Sequence, residues 1–229
     1  MKLAGAIFDL DGTLADTLPV CYAAFRGACA RLDGPAYTDA EIRALFGPSE
    51  EGMLQRAMPD RWEEGLEVLL EEYGKRLLQC AGVFPAVAAA LALLRERRVP
   101  LALVTGKGVG TTRLSLAHFG LDGVFDLVET GSPTGVVKAA AIARVVAQWD
   151  VPPSRVFYVG DAVADVQAAQ EAGVLAVAAA WAPSAIPQEL EAARPYTLFS
   201  NASDFRTWVV RTLGPSPARR RSARSTRAR

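Results

Sequence analysis

Two carboxylates, Asp9 and Asp11, stand two positions apart in the stretch Ala6-Ile7-Phe8-Asp9-Leu10-Asp11-Gly12-Thr13-Leu14. The run from Leu3 to Phe8 is short, apolar and rich in strand formers, and it stops at Asp9. It reads as a buried strand that delivers acids at its C-terminal end, the edge at which open α/β sheets bind ligands. If the strand continues, both acids face the same way, and Gly12 lets the chain turn away sharply. An ordinary Asp-Gly turn accounts for Gly12 but not for the paired acids. Further on, Leu101-Ala102-Leu103-Val104 reads as a strand ending at Thr105-Gly106-Lys107-Gly108. A hydroxyl entering a Gly-rich loop can join free backbone N–H groups in donating to phosphate oxygens. Lys138 opens a helix expected from Val136 to Trp149, where the dipole disfavours a cation, so it either has an anionic partner or is a surface lysine. Gly160-Asp161-Ala162-Val163-Ala164-Asp165 places one acid at a strand end and another about one helical turn later on the same side. Beside Asp9 such a pair suits Mg²⁺, which takes a few carboxylates and keeps waters. Asp165 alone also reads as an acid capping a helix.

The first stretch resembles the Asp-x-Asp-Gly-Thr-Leu motif of the haloacid dehalogenase superfamily and matches it at every position. Thr105, Lys138 and the Gly-Asp-x-x-x-Asp pattern resemble its second, third and fourth motifs, in order. The resemblance runs from Lys2 to about Leu213 and implies a Mg²⁺-dependent phosphatase acting on a small phosphorylated metabolite. Asp9 would be the nucleophile forming an aspartyl-phosphate, and Asp11 the general acid and base. Thr105, Gly106, Lys107 and Lys138 would hold the phosphoryl group or the substrate, and Asp9, Asp11, Asp161 and Asp165 the metal. Lys107 would serve the substrate or a contact with the cap, or lie in solvent as an ordinary loop lysine. The subgroup indicated is that of phosphoglycolate phosphatase and beta-phosphoglucomutase, with a small helical cap. Phosphoglycolate is therefore the leading substrate, although many relatives carry Lys-Pro-x-Pro where this chain has Lys138-Ala139-Ala140-Ala141. A sugar phosphomutase ranks lower, because its relatives use a cap histidine. A non-catalytic interaction module is the alternative of another class.

These residues must be positioned by alternating strands and helices, and the expected fold is a doubly wound, three-layer parallel sheet, Rossmann-like, with an inserted α-helical cap. Residues 1–15 and 82–214 form the expected core, 16–81 the cap, and 215–229 a disordered tail. Within the cap, Leu18–Leu32, Asp39–Phe46, Ser49–Ala57 and Arg61–Leu78 read as helices between Gly and Pro breaks. Leu66, Leu69, Leu70, Tyr73 and Leu77 recur at helical spacing, a stripe expected to pack inside the cap. Asp16-Thr17 reads as a helix cap. Arg43, Arg56 and Lys75 are candidate anion contacts or solvated surface residues. After Pro183 the expectation is short helices and an edge segment, and Trp181, Pro183 and Trp208 carry no evident chemistry.

Of the 229 residues 51% are apolar, enough for a substantial core, and the formal net charge is +0. The six Arg after Gly214 hide a net of −6 in residues 1–214. The tail has no aromatics for stacking on bases, so no specific nucleic acid is expected. No apolar run reaches the roughly 18 residues of a membrane span, and no signal-peptide pattern precedes the first strand. Cys21 and Cys29 lie about 12 Å apart on one helix, too far to bridge. Cys80 stands elsewhere, and no Cys or His has metal-ligand spacing. The lone His118 reads as structural. A cytoplasmic protein, without a membrane partner and either monomeric or homodimeric, is expected.

Overall fold

The computed structural model describes residues 3–215. The expected disordered tail falls outside them from residue 216 on. Strands β1 (Gly5–Phe8), β2 (Leu101–Val104), β3 (Leu127–Glu129), β4 (Val156–Gly160), β5 (Leu175–Ala179) and β6 (Thr197–Phe199) form one sheet in the order β3-β2-β1-β4-β5-β6. Every pairing is parallel. β1, β2 and β4 are buried at every position, because continuous apolar strands in a parallel sheet are covered on both faces.

The covering helices, in chain order, are α1 (Leu18–Arg31), α2 (Asp39–Ala44), α3 (Glu50–Ala57), α4 (Trp62–Leu77), α5 (Pro85–Glu96), α6 (Val109–His118), α7 (Lys138–Trp149), α8 (Val163–Glu171), α9 (Pro187–Ala192) and α10 (Ala202–Leu213). Alternation along the strands divides the core in two. Phe8, Leu103, Phe157 and Val159 pack with Leu91 and Leu94 of α5 and Phe205 and Val209 of α10. Ile7, Ala102, Val104 and Tyr158 pack with Ile142 and Val145 of α7 and Val166 of α8. The chain after Pro183 is more regular than its sequence suggests. The edge segment pairs as β6, and α10 runs for 12 residues because Phe205 is fully buried among Phe8, Phe157, Trp181, Phe199 and Trp208. Trp181 also donates from Nε1 to the carbonyl of Thr13, 3.1 Å away, pinning the turn after β1.

Helices α1 to α4 interrupt the alternation after β1 and share a third core of Phe25, Ala28, Ile42, Leu54, Leu69 and Leu77. The capping box of Thr38 and Glu41 starts α2. The stripe on α4 is not confined to these helices. Leu114 and Phe119 of the α6 region join their core, and the Tyr73 hydroxyl hydrogen-bonds Ser115 Oγ at 2.8 Å. A Cβ at Gly110 would lie 2.6 Å from Leu70 Cδ2, so the missing side chain admits α4 to the surface of α6.

From β1 the chain goes to β2 and β3 on one side, then crosses to β4 on the other. The carboxyl ends of β1 and β4 therefore flank the point where winding reverses, the place where open α/β sheets form a ligand crevice. Gly12, at φ 70°, closes the turn there. Any Cβ on it would stand 2.1 Å from Asp161 Oδ2.

Candidate active site

A cavity of about 230 Å³ opens at this crevice, lined by strand-end residues on one side and by helices α1 to α4 on the other. All eight residues singled out by type and spacing, Asp9, Asp11, Thr105, Gly106, Lys107, Lys138, Asp161 and Asp165, line it. They fall into two groups, each built on a lysine, one half-buried and one buried.

The first group belongs to the sheet. Asp9 follows β1, Asp161 follows β4, Asp165 lies in the first turn of α8, and Lys138 begins α7, two residues later than the sequence suggested. Carboxylate oxygens of Asp9, Asp161 and Asp165 lie within 4.8 Å of one another. Lys138 Nζ donates to Asp9 Oδ2 at 3.0 Å and to Asp165 Oδ1 at 2.5 Å. Asp165 also accepts from Tyr158 OH at 3.0 Å and from the Ala162 N–H at 3.0 Å. It is thus both the capping acid and a member of the cluster. Asp9 Oδ1 is buried without a hydrogen-bond partner.

Burial pushes the Asp9 carboxyl up to about 6; Lys138 opposes that rise, and Asp165 and Asp11 add to it. Burial, then Asp165 and Asp9, also hold Asp161 well above the ordinary carboxylate range. Burial works against the charge on Lys138, but Asp165 and Asp9 outweigh it and keep its pKa high. One lysine among three carboxylates leaves the cluster short of positive charge, and its donors are all oxygens. Such a set fits a hard divalent cation such as Mg²⁺.

The second group joins the sheet to the inserted helices. Lys107 is not a solvated loop lysine: it is 4% exposed. Its Nζ lies 3.2 Å from Asp11 Oδ2, 3.5 Å from Glu50 Oε1 on α3 and 3.2 Å from Cys21 Sγ on α1, with the Tyr73 ring centroid 4.4 Å away. Burial disfavours its charge, but Asp11, Cys21, Tyr73 and Glu50 outweigh that, so its pKa stays well above the usual range. Glu50 accepts from the Gly108 N–H at 2.5 Å and from Thr111 Oγ1 at 2.6 Å, so a carboxylate from α3 caps the N-terminus of α6.

The Asp11 carboxylate lies outside the cluster of three. It is turned to Lys107 and to the Thr17 hydroxyl, which donates to Oδ1. Thr17 stands at the N-cap of α1 yet makes no capping bond, because its hydroxyl is spent on Asp11. Thr105 is buried and accepts from the Lys107 N–H at 3.4 Å. Of the candidate anion contacts only Arg43 lines the cavity; Arg56 is exposed, and Lys75 pairs with Glu71 at 2.6 Å. Glu50, Cys21, Thr17 and Tyr73 were not legible as site residues. Their part depends on how the inserted helices seat, and no spacing records that.

The chain matches the haloacid dehalogenase-like hydrolase family over residues 6–179. It is 32% identical over 210 residues to a phosphoglycolate phosphatase of Synechococcus elongatus, covering 90% of this chain and 97% of that one. To the tyrosine-protein kinase PtkA of Mycobacterium tuberculosis it is 30% identical over 178 residues, or 76% of this chain and 61% of the kinase. The fold also matches CbbY from Rhodobacter sphaeroides, solved in complex with phosphate, with a TM-score of 0.75 at 19% identity over 89% of this chain and 96% of that one. With a parallel sheet that carries its acids at the switch point, and a family match reaching from β1 to the end of β5, this chain belongs to the haloacid dehalogenase-like hydrolases, in the company of phosphoglycolate phosphatases.

Proposed function

We propose that this phosphatase cleaves a small phosphomonoester through an aspartyl-phosphate on Asp9, with Asp11 moving the proton and Mg²⁺ as cofactor. The observation that carries the reading is Asp9 itself. It is a buried carboxylate with one oxygen on Lys138 and the other unpartnered, in a cavity it shares with a second, separately held acid. Asp9, Asp161 and Asp165 would hold the cation. When bound, it offsets the carboxylates' charge and polarises a phosphoryl oxygen.

An Asp9 oxygen attacks phosphorus as the ester P–O bond breaks, and the leaving oxygen takes a proton from Asp11. A water molecule then gives a proton to Asp11 while its oxygen attacks phosphorus. The bond from Asp9 to phosphorus breaks, returning the carboxylate and inorganic phosphate. Lys138 and the Thr105 hydroxyl donate to phosphoryl oxygens, and Thr17 and Lys107 hold Asp11 apart from the metal-binding acids. We read residues 16–81 as a cap on the core of 1–15 and 82–214, one that excludes bulk water when seated.

Phosphoglycolate, the substrate named for the Synechococcus elongatus relative, is the first ester to assay. The test is phosphate release from a panel of small esters, with and without Mg²⁺, by the wild type and by Asp9→Asn. Release that requires Mg²⁺ and disappears in Asp9→Asn is expected. Release that survives the substitution overturns Asp9 as nucleophile.

A further inference from the structure

The wall that the inserted helices contribute to the cavity is mostly apolar, with Arg43 as its cation and Glu50 as its carboxylate. Its apolar residues come from the inserted helices and the turn after α2: Phe25, Ile42, Met53 and Leu69 are buried in the core those helices share and back the wall, while Tyr22 and Phe46 keep exposed surface. The rings of Tyr22 and Phe46 lie 5.8 Å apart at 19°, and Phe46 is still 42% exposed, an aromatic pair open to a further ring.

Charge points the same way. The lining includes five carboxylates, Asp9, Asp11, Glu50, Asp161 and Asp165, against three cations, Arg43, Lys107 and Lys138. A divalent cation balances the excess, and a phosphate monoester then adds about two negative charges of its own. Lys138 is taken up by Asp9 and Asp165, and Lys107 by Asp11 and Glu50. Arg43 makes no ion pair within 4.0 Å among the described residues, but it stands on exposed α2, where water screens it. A carboxylate on the leaving group would meet Glu50 and no unengaged buried cation.

Resting on the phosphatase reading above, we propose that the substrate's leaving group is uncharged and apolar, bearing a single aromatic ring. The size agrees: about 230 Å³ is below the roughly 300 to 1,000 Å³ of drug-sized sites, whereas about 150 Å³ of apolar cavity holds benzene.

The test compares benzyl phosphate, ethyl phosphate and phosphoglycolate, all alkoxide esters, with wild-type protein and Mg²⁺. Benzyl phosphate is expected to exceed each of the other two by about 50-fold in kcat/KM. Phe46→Ala should cost benzyl phosphate about tenfold, mostly in KM. Calorimetry supplies a readout independent of turnover: 2-phenylethylphosphonate should bind about 30-fold more tightly than 3-phosphonopropionate. Phosphoglycolate hydrolysed as efficiently as benzyl phosphate and impaired by Arg43→Ala overturns the apolar leaving group while leaving the phosphatase reading intact. No Mg²⁺-dependent release from any of the three overturns both.

Discussion

Lys138, half-buried, and Lys107, buried, both stand beside carboxylates in one cavity, yet their surroundings differ in origin. The carboxylates that Lys138 pairs with, Asp9 and Asp165, come from the end of β1 and the start of the helix after β4, so a continuous sheet sets the geometry. Lys107 is held on one side by Asp11 and on the other by Glu50, Cys21 and Tyr73 from the inserted helices. The first centre draws only on strand ends and the helices that follow them; the second also takes Glu50, Cys21 and Tyr73 from the insertion. In the proposed mechanism the nucleophile and the metal-binding acids stand on the first centre, and the proton-transferring Asp11 stands on the second, next to the contact across the joint.

Cutting the first centre gives the largest expected effect. Asp9→Asn should lower phosphate release by at least about 10⁴-fold, because the proposed mechanism forms the acyl phosphate on Asp9. The same substitution should raise the melting temperature of the metal-free protein at pH 7.5, since it removes one of three crowded carboxylates. An unchanged or lower melting temperature would show that Lys138 already balances the cluster. Lys138→Met should reduce kcat by about 100-fold to 1,000-fold. It should also cost about 3 to 5 kcal/mol in denaturant unfolding, because Asp9 and Asp165 are left buried without their counter-charge.

Breaking the second centre should be milder and different in kind. Glu50→Gln keeps the shape, and its amide still accepts from Gly108, but Lys107 loses one of its two carboxylates. A drop of about tenfold in kcat/KM is expected, with faster proteolysis at the joints of residues 16–81 and little change in global stability. If Glu50→Gln instead matches Lys138→Met in both activity and stability, the two centres are one cooperative unit and the contrast fails.

The smallest effect is electrostatic and separates the centres by pH. The folded pKa of Asp9, about 6, is raised above the ordinary value of 3.8, so the folded state binds this proton more tightly than the unfolded chain. The resulting penalty is fully present above about pH 6 and is relieved as pH falls from there toward 3.8. Metal-free protein should therefore gain stability between pH 7 and pH 5, and Asp9→Asn should flatten that gain. Saturating Mg²⁺ should do the same from the other direction, adding about 2.7 kcal/mol at a hundred times its Kd. A rise in stability with pH over this window would mean that another group dominates.

The order of acids, hydroxyl and lysine along the chain determined the fold and the Lys138 centre. A short apolar strand that ends in an acid is recorded in consecutive residues, and a parallel sheet brings every such end to one edge. That is why Asp9, Thr105, Lys138, Asp161 and Asp165 are legible in the amino-acid sequence. What the tertiary structure decided depends on contacts between distant segments. The burial of Lys107, the turn of Thr17 away from its helix toward Asp11, Glu50 across the joint and the apolar wall around Tyr22 and Phe46 all follow from how α1 to α4 sit on α6 and the sheet. A lysine in a Gly-rich loop reads the same whether it ends in water or under a helix, because its neighbours there lie 86 residues away at Cys21 and 57 at Glu50.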